Sequence, residues 1–534
     1  FLSPICSSLM AAVRSAAAAQ GRALLRRSPL AATASRRLRQ SAAVAVRRNS
    51  TAVAASPADE EELRWEADFV AATDTIYDSS RSFEDSAAGL RALIKTGLLR
   101  HTDLRDRPER FFKAHRLLAR HAVQQGPGFW IRFTVHYNLC FGTVLAVGSD
   151  EQIAALDDVE ATGQLGCFAL TEKLAGVQSG LIVQTKAVFD EGTDCFVLSN
   201  VGETDGAYKN WISQGFVADK AVVLADLSIG GERKGPHAFL MDMRTGGRLT
   251  TGVSTGDMGT KTVGNDLDNA WIAFDGVSLP RSALLSRYAQ VSSDGTYSLA
   301  SEAVKPFEMI GQRLYTGRIA VAQAALSYRR KLFEDTKAYA DAKPIPSFSG
   351  APLTLSSIPQ LASLFEEAEA TAGALEKYVA SCEEELTPLL RNGGVPPDDL
   401  AHRIATAKVK AVEASIDLCW RLKQEVGSYA LMGDSGFGSM DFLQCCKFAE
   451  GDSRVLMLKM ARDRLRRYAK EAKSGAPLPA GEEEEAALCE ALAAAVGTAK
   501  GDKALEAAAW DREWRGVYAL AESIMRRTLE PHGR

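Results

Sequence analysis

Gly166-Cys-Phe-Ala-Leu-Thr-Glu172 is where the pattern of the chain changes. Upstream, residues 60–74, 82–97 and 107–124 repeat apolar side chains at helical spacing with charged faces between them. Residues 130–147 read as a more apolar helix entered at Gly126-Pro127-Gly128. From Gly166 to about Leu285 the runs become short and β-rich, at 183–189, 195–199, 221–227, 238–243 and 270–274, with Gly, Asp and Asn between them. Residues 277–280 close this region. From Ser301 long helical patterns return at 304–342, 356–392, 397–431 and 453–472. This order predicts an α+β multidomain chain: an N-terminal helical domain at 59–163, a central antiparallel β domain at 164–290 and a C-terminal long-helix bundle of four helices at 300–473. Residues 474–534 read as a linker and a short helical tail, whose Glu482–Glu485 run is taken as a solvated helix start. No βαβ alternation and no GxGxxG run supports a dinucleotide-binding sheet.

Composition narrows the function classes. With 534 residues, 46% hydrophobic and 24% charged, the chain has material for a large core. A net charge of −4 argues against a nucleic-acid surface, and no run of about eighteen apolar residues predicts a membrane span. Charge is unevenly placed: residues 1–58 hold nine Arg and no Asp or Glu, and are rich in Ala and Ser. Such a segment reads as a transit peptide, giving a mitochondrial matrix protein or, as the alternative, a plastid one. Nine Cys are scattered without a CxxC pair, and no HExxH occurs, so no metal is expected.

Several further stretches carry chemistry only when taken together. They are Thr134-Val-His-Tyr-Asn-Leu-Cys-Phe-Gly142, Lys209-Asn-Trp-Ile-Ser-Gln-Gly215, Gly235-Pro-His-Ala-Phe-Leu240, Gly256-Asp-Met-Gly-Thr-Lys261, Asp268-Asn269, Phe274-Asp-Gly-Val-Ser-Leu-Pro-Arg281 and Ala449-Glu-Gly-Asp-Ser-Arg454. Singly, each reads as a strand start, a core Trp, a turn or a helix cap. In this order, over roughly residues 95–470, they resemble the acyl-CoA oxidase and acyl-CoA dehydrogenase superfamily, with the oxidase-like motifs prominent.

The resemblance implies a flavoenzyme using FAD that oxidises an acyl-CoA to a trans-2-enoyl-CoA. Oxygen or an electron-transfer protein would accept the electrons, and the assembly would be a homodimer or homotetramer. It places Thr171, Trp211 and Ser213 at the flavin ring, Glu450 as the base for the α-proton, and Gly176 and Arg454 on the substrate. Lys343, Gly433 and Gly436 fall where relatives hold the flavin pyrophosphate. There the chain departs from the pattern. Tyr339-Ala-Asp-Ala-Lys343 has Lys where relatives have Arg, and Ala430-Leu-Met-Gly-Asp-Ser-Gly-Phe437 replaces an amide with Ala430 and adds Asp434. Arg454, four residues after Glu450, is free in sequence terms to pair with Glu450 or with Asp452. Two other readings follow from these departures: a non-catalytic structural subunit of the same fold, and a lyase that reuses α-proton abstraction.

Overall fold

The β region begins with Gly166 because a larger residue does not fit: a Cβ there would lie 2.5 Å from Cys140 Sγ on the preceding helical segment. The structure, a computed structural model, describes residues 57–532 apart from 78–81, 177–181, 202–207, 302–305, 347–349, 351, 476, 478 and 498–501. The N-terminal part of the segment read as a transit peptide, residues 1–56, lies outside the described residues.

Residues Ala67–Arg534 form one unit. Helices Phe83–Lys95, Pro108–Gln125 and Pro127–Thr134 lead into a π-helical stretch, Val135–Phe141, and then helix Gly142–Val147. π-turns inside α-helices recur at functional positions, and this one carries a buried Asn138.

Thirteen described strands follow: β1 Gly166–Ala169, β2 Lys186–Asp190, β3 Cys195–Ser199, β4 Lys209–Ser213, β5 Lys220–Ile229, β6 Glu232–Asp242, β7 Arg244–Thr245, β8 Arg248–Leu249, β9 Val253–Asp257, β10 Asn269–Phe274, β11 Val277–Pro280, β12 Ala289–Val291 and β13 Tyr297–Leu299. The larger sheet runs β1-β5-β2-β3-β11, with β6 on the other side of β5; a second runs β4-β10-β9. The expectation of an antiparallel domain needs a correction here. β1 and β2 both pair with β5 in parallel. Short apolar runs look alike in either direction, and it is the long excursions between β1, β2 and β5 that permit parallel pairing. The interior between the sheets is apolar, with Phe189, Phe196, Phe239 and Phe274 among its largest members.

The C-terminal part contains helices Pro306–Ala342, Pro359–Asn392, Asp398–Glu425 and Ser453–Ser474, with a short helix, Phe442–Phe448, before the last. The tail forms three helices, Glu483–Gly497, Lys503–Arg512 and Trp514–Leu529. Their apolar residues Leu492, Val517, Leu520 and Met525 pack on Leu456 and Met460 of Ser453–Ser474. The acidic run is only half solvated: Glu483 and Glu484 are exposed as expected, and the other two are not. Glu482 and Glu485 are buried, each 2.9 Å from the buried Arg464, and Arg527 reaches Glu485 at 2.6 Å. Two acids that must neutralise one sunken guanidinium cannot face water. No described helix is long and apolar enough to cross a membrane.

Candidate active site

Four non-glycine residues in the described structure adopt positive φ: Asp194, Trp211, Gln214 and Glu450. Such backbone costs about 1–3 kcal/mol and persists only where the surroundings over-determine it. Two of the four are residues singled out by sequence, and the local reasons differ.

Trp211 (φ 56°) sits in a β-bulge. Ile212 pairs with Ala270 and Lys209 with Ile272, so β4 spends one residue more than β10 over this stretch. The bulge turns the indole outward, where it is 56% exposed, and its backbone N–H donates to Met258 Sδ at 3.2 Å. Thr171, just past β1, is exposed, and its carbonyl accepts from Asn210 N–H at 2.9 Å. Ser213 Oγ accepts from Asn269 Nδ2 at 3.0 Å. Thr171, Trp211 and Ser213 therefore share one sheet edge.

Two fully buried ion pairs fix that edge. Lys209 Nζ lies 2.9 Å from Glu172 Oε1 and also donates to Leu224 O at 2.7 Å, while Glu172 accepts from Thr185 N–H and Oγ1. Arg132 contacts Asp268 at 2.9 Å and Gln214 at 3.1 Å, and Asp268 accepts from Phe216 N–H at 2.8 Å. The Glu of the 166–172 motif and the Lys of the 209–215 motif are thus two halves of one clamp, a role the sequence reading did not give them.

Glu450 (φ 56°) follows helix Phe442–Phe448 and precedes helix Ser453–Ser474, which Asp452 caps through Arg454 N–H at 2.7 Å. Its carboxyl lies against Gly317 of helix Pro306–Ala342: a Cβ on Gly317 would fall 2.1 Å from Glu450 Cδ. Glycine inside a helix costs about 1 kcal/mol relative to Ala, and here its missing side chain makes the space for the carboxyl. Asn138 hydrogen-bonds the carboxyl, and Oε2 is buried without a hydrogen-bond partner. Arg318 Nε donates to the Glu450 carbonyl at 3.1 Å. Burial pushes the Glu450 carboxyl up to about 8, against the opposing pull of Arg318, Asn138 and Lys408. The carboxyl thus exchanges its proton near neutral pH. The unmet oxygen alone costs about 1–3 kcal/mol, similar to the backbone strain, so strong contacts must hold this turn. Lys408, with no exposure, supplies three: to Lys447 O at 2.6 Å, Gly451 O at 2.9 Å and Ser453 Oγ at 3.1 Å.

A short path joins the two places. The segment after β9 carries Met258, under the Trp211 amide, and Lys261 and Asp266, whose charges act on Cys445 in helix Phe442–Phe448. Phe442 packs edge-on against Trp130 with ring centroids 5.8 Å apart.

The other sequence-predicted residues stand elsewhere. Arg454 does not pair with Glu450; its guanidinium lies over the Tyr518 ring at 5.0 Å and 3.9 Å from Glu413, and Arg318 is the arginine beside Glu450. Helix phase accounts for this, since Arg454 projects from the first turn of a new helix toward the C-terminal segment. Gly176 is exposed at the border of the described residues. Tyr339 stacks on Tyr429 at 3.8 Å, so the segments holding Lys343 and Gly433 meet on the bundle, and Gly436 O accepts from Tyr328 Oη at 3.0 Å. Lys343, Gly433 and Asp434 are exposed there. His101, Asp157 and Glu160 come within ligand distance of one another, but Arg100 pairs with both carboxylates, an arrangement that needs no ion.

No family model matches the chain. It is 29% identical over 414 residues to the peroxisomal acyl-coenzyme A oxidase 2 of Arabidopsis thaliana, covering 71% of this chain and 57% of that protein. To acyl-coenzyme A oxidase 2 of Yarrowia lipolytica it is 29% identical over 362 residues, covering 63% and 50%. A human relative, peroxisomal acyl-coenzyme A oxidase 3, is 33% identical over 202 residues, covering 36% of this chain and 28% of its own. The chain spans about half the length of the first two relatives. Among solved structures, acyl-CoA oxidase 1 of Yarrowia lipolytica superposes with a TM-score of 0.70 at 19% identity, covering 89% of this chain and 76% of that one. Acyl-CoA oxidase-2 of Caenorhabditis elegans, bound with FAD, ascaroside-CoA and ATP, gives 0.72 at 17% identity with the same coverage. The expected mitochondrial or plastid destination is corrected by the peroxisomal names of the Arabidopsis and human relatives. An Arg-rich, acid-poor stretch is a compositional signal and does not specify one organelle.

Proposed function

We propose that this chain, which carries the acyl-CoA oxidase fold, oxidises an acyl-CoA thioester between its α and β carbons, with Glu450 taking the α-proton. The observation that carries this reading is the Glu450 carboxyl itself: buried, raised to about 8, seated against Gly317 and with Oε2 unmet. An α-proton of a thioester is weakly acidic, so its removal needs a dehydrated base of matched strength. Oε2 is the atom that would receive it, while Asn138 orients the carboxyl and Arg318 anchors the backbone carbonyl.

The sheet edge fits an isoalloxazine ring. Trp211 offers an exposed indole, and Thr171 and Ser213 lie on the same sheet edge. FAD, when bound, supplies the acceptor for two electrons from the substrate. Thr171, Trp211 and Ser213 would hold its ring; Lys343, Gly433 and Gly436, grouped on the bundle, would meet the pyrophosphate of a second copy in a homodimer or homotetramer. Lys343 keeps a charge there without the bidentate fork of Arg. Either oxygen or an electron-transfer protein would then reoxidise the flavin.

The test is spectroscopic. Purified protein given excess FAD and then freed of unbound flavin by gel filtration should stay yellow, and an acyl-CoA added without oxygen should bleach it, with trans-2-enoyl-CoA as product and no bleaching in Glu450→Gln. Protein that stays colourless would sink this reading. It would favour a non-catalytic subunit of the same fold, a reading motivated by Lys343, Ala430 and the exposed Asp434 standing where relatives differ.

A further inference from the structure

We propose that Lys408 is a positioning residue: its ammonium clamps the turn that carries Glu450 and so keeps the carboxyl seated against Gly317. The inference rests on the reading of Glu450 as the base. Lys408 lies in helix Asp398–Glu425, 43 positions before Gly451, and no sequence motif links the two. Its side chain has no exposure, and its three contacts match the three N–H donors of an ammonium group. Two of the acceptors are the carbonyls of Lys447 and Gly451, which bracket Glu450. The third, Ser453 Oγ, opens the next helix. A left-handed glutamate followed by Gly451, also at positive φ (93°), is a turn that neighbours must hold. Lys408 grips it on both sides, and Arg318 grips its middle through the Glu450 carbonyl.

The ammonium also sets the charge around the base. The groups that face it are Glu450, Asp452, Cys446 and Arg318, with Lys447 taken up by Glu413 at 3.2 Å. Lys408 and Arg318 both favour the ionised form of Glu450. Removing Lys408 therefore loosens the turn and makes Glu450 harder to ionise.

Two measurements read this without flavin: amide hydrogen exchange across residues 447–453, and a carboxyl infrared titration assigned to Glu450 by its loss in Glu450→Gln. In Lys408→Met, exchange in 447–453 should quicken about tenfold or more while the rest of the bundle keeps its protection. The Glu450 midpoint should rise, by under about one pH unit because burial already draws the Lys408 amine down to about 7. Lys408→Arg should restore most of the midpoint and only part of the protection. A folded Lys408→Met with both readouts unchanged overturns the proposal. Should Lys408→Met fail to fold, Ser453→Ala decides: quicker exchange confined to 447–453 supports the clamp, and unchanged exchange overturns it. Acyl-CoA bleaching of the unmutated protein is followed in parallel. If it fails while the exchange and midpoint move as expected, the oxidation reading falls and the clamp stands.

Discussion

Glu450 and Trp211 both stand on left-handed backbone, but one is a buried acid with an unmet oxygen and the other an indole more than half in solvent. At Glu450 the strain is held by cations reaching in from two other helices, Lys408 and Arg318. At Trp211 it follows from one extra residue in a strand whose flanks are locked by the Glu172–Lys209 and Arg132–Asp268 pairs. The acid end stores its cost in desolvation, which tunes a proton affinity. The sheet end stores none in the exposed ring, which leaves a flat face ready to be covered.

The sharpest break of this comparison is Glu450→Gln. Removing a general base costs about two to four orders of magnitude in rate, so kcat should fall by that much while the fold persists. The same variant sharpens the electrostatic half. The folded carboxyl titrates at about 8, above its ordinary range, so its contribution to stability is full below about 4.5 and is lost as pH rises toward 8. Thermal melts of Glu450→Gln should therefore match the parent near pH 4.5 and exceed it increasingly up to pH 8.5; parallel curves would show that the carboxyl is not desolvated.

Next in size is Lys209→Met. It leaves Glu172 buried without its cation and should cost about 3–5 kcal/mol in denaturant unfolding. Loss of less than about 1 kcal/mol would mean that water replaces the lysine and that the sheet edge is looser than described. Gly317→Ala should leave circular dichroism and melting close to the parent, since Ala favours helix, yet lower kcat about a hundredfold by displacing the carboxyl. The smallest effect on stability belongs to Trp211→Ala, within about 0.5 kcal/mol because the ring is exposed. Flavin uptake should nevertheless weaken, and unchanged uptake would remove the indole from the site.

The two ends also differ in how far the sequence exposes them. Thr171, Trp211, Ser213 and Glu450 sit in contiguous motifs, so their types and order carry a signal. Gly317, Arg318, Asn138 and Lys408 do not: each is a single residue in a long helical pattern, brought to Glu450 only by packing, with Arg318 132 positions away from it. Gly317-Arg318 left one faint trace, the second of two glycines inside a long helix, the other being Gly311. The helix–sheet–helix order was legible because period changes at Gly166 and Ser301 are strong. Strand direction was not, since β1 and β2 carry the same side chains whether they run with β5 or against it. Glu482 and Glu485 misled for a related reason: a charge run looks wet until a distant Arg464 claims it.

That guanidinium has a consequence for anyone trimming the chain. Cutting away everything after Gly481 would leave Arg464 with only Glu471, at 3.4 Å, in place of its two closer acids, and lay bare Leu456 and Met460, on the same helix that Glu450 introduces. A shortened protein should therefore aggregate or lose the Glu450 turn, which makes the tail a wall of the bundle whose removal would be felt at that carboxyl.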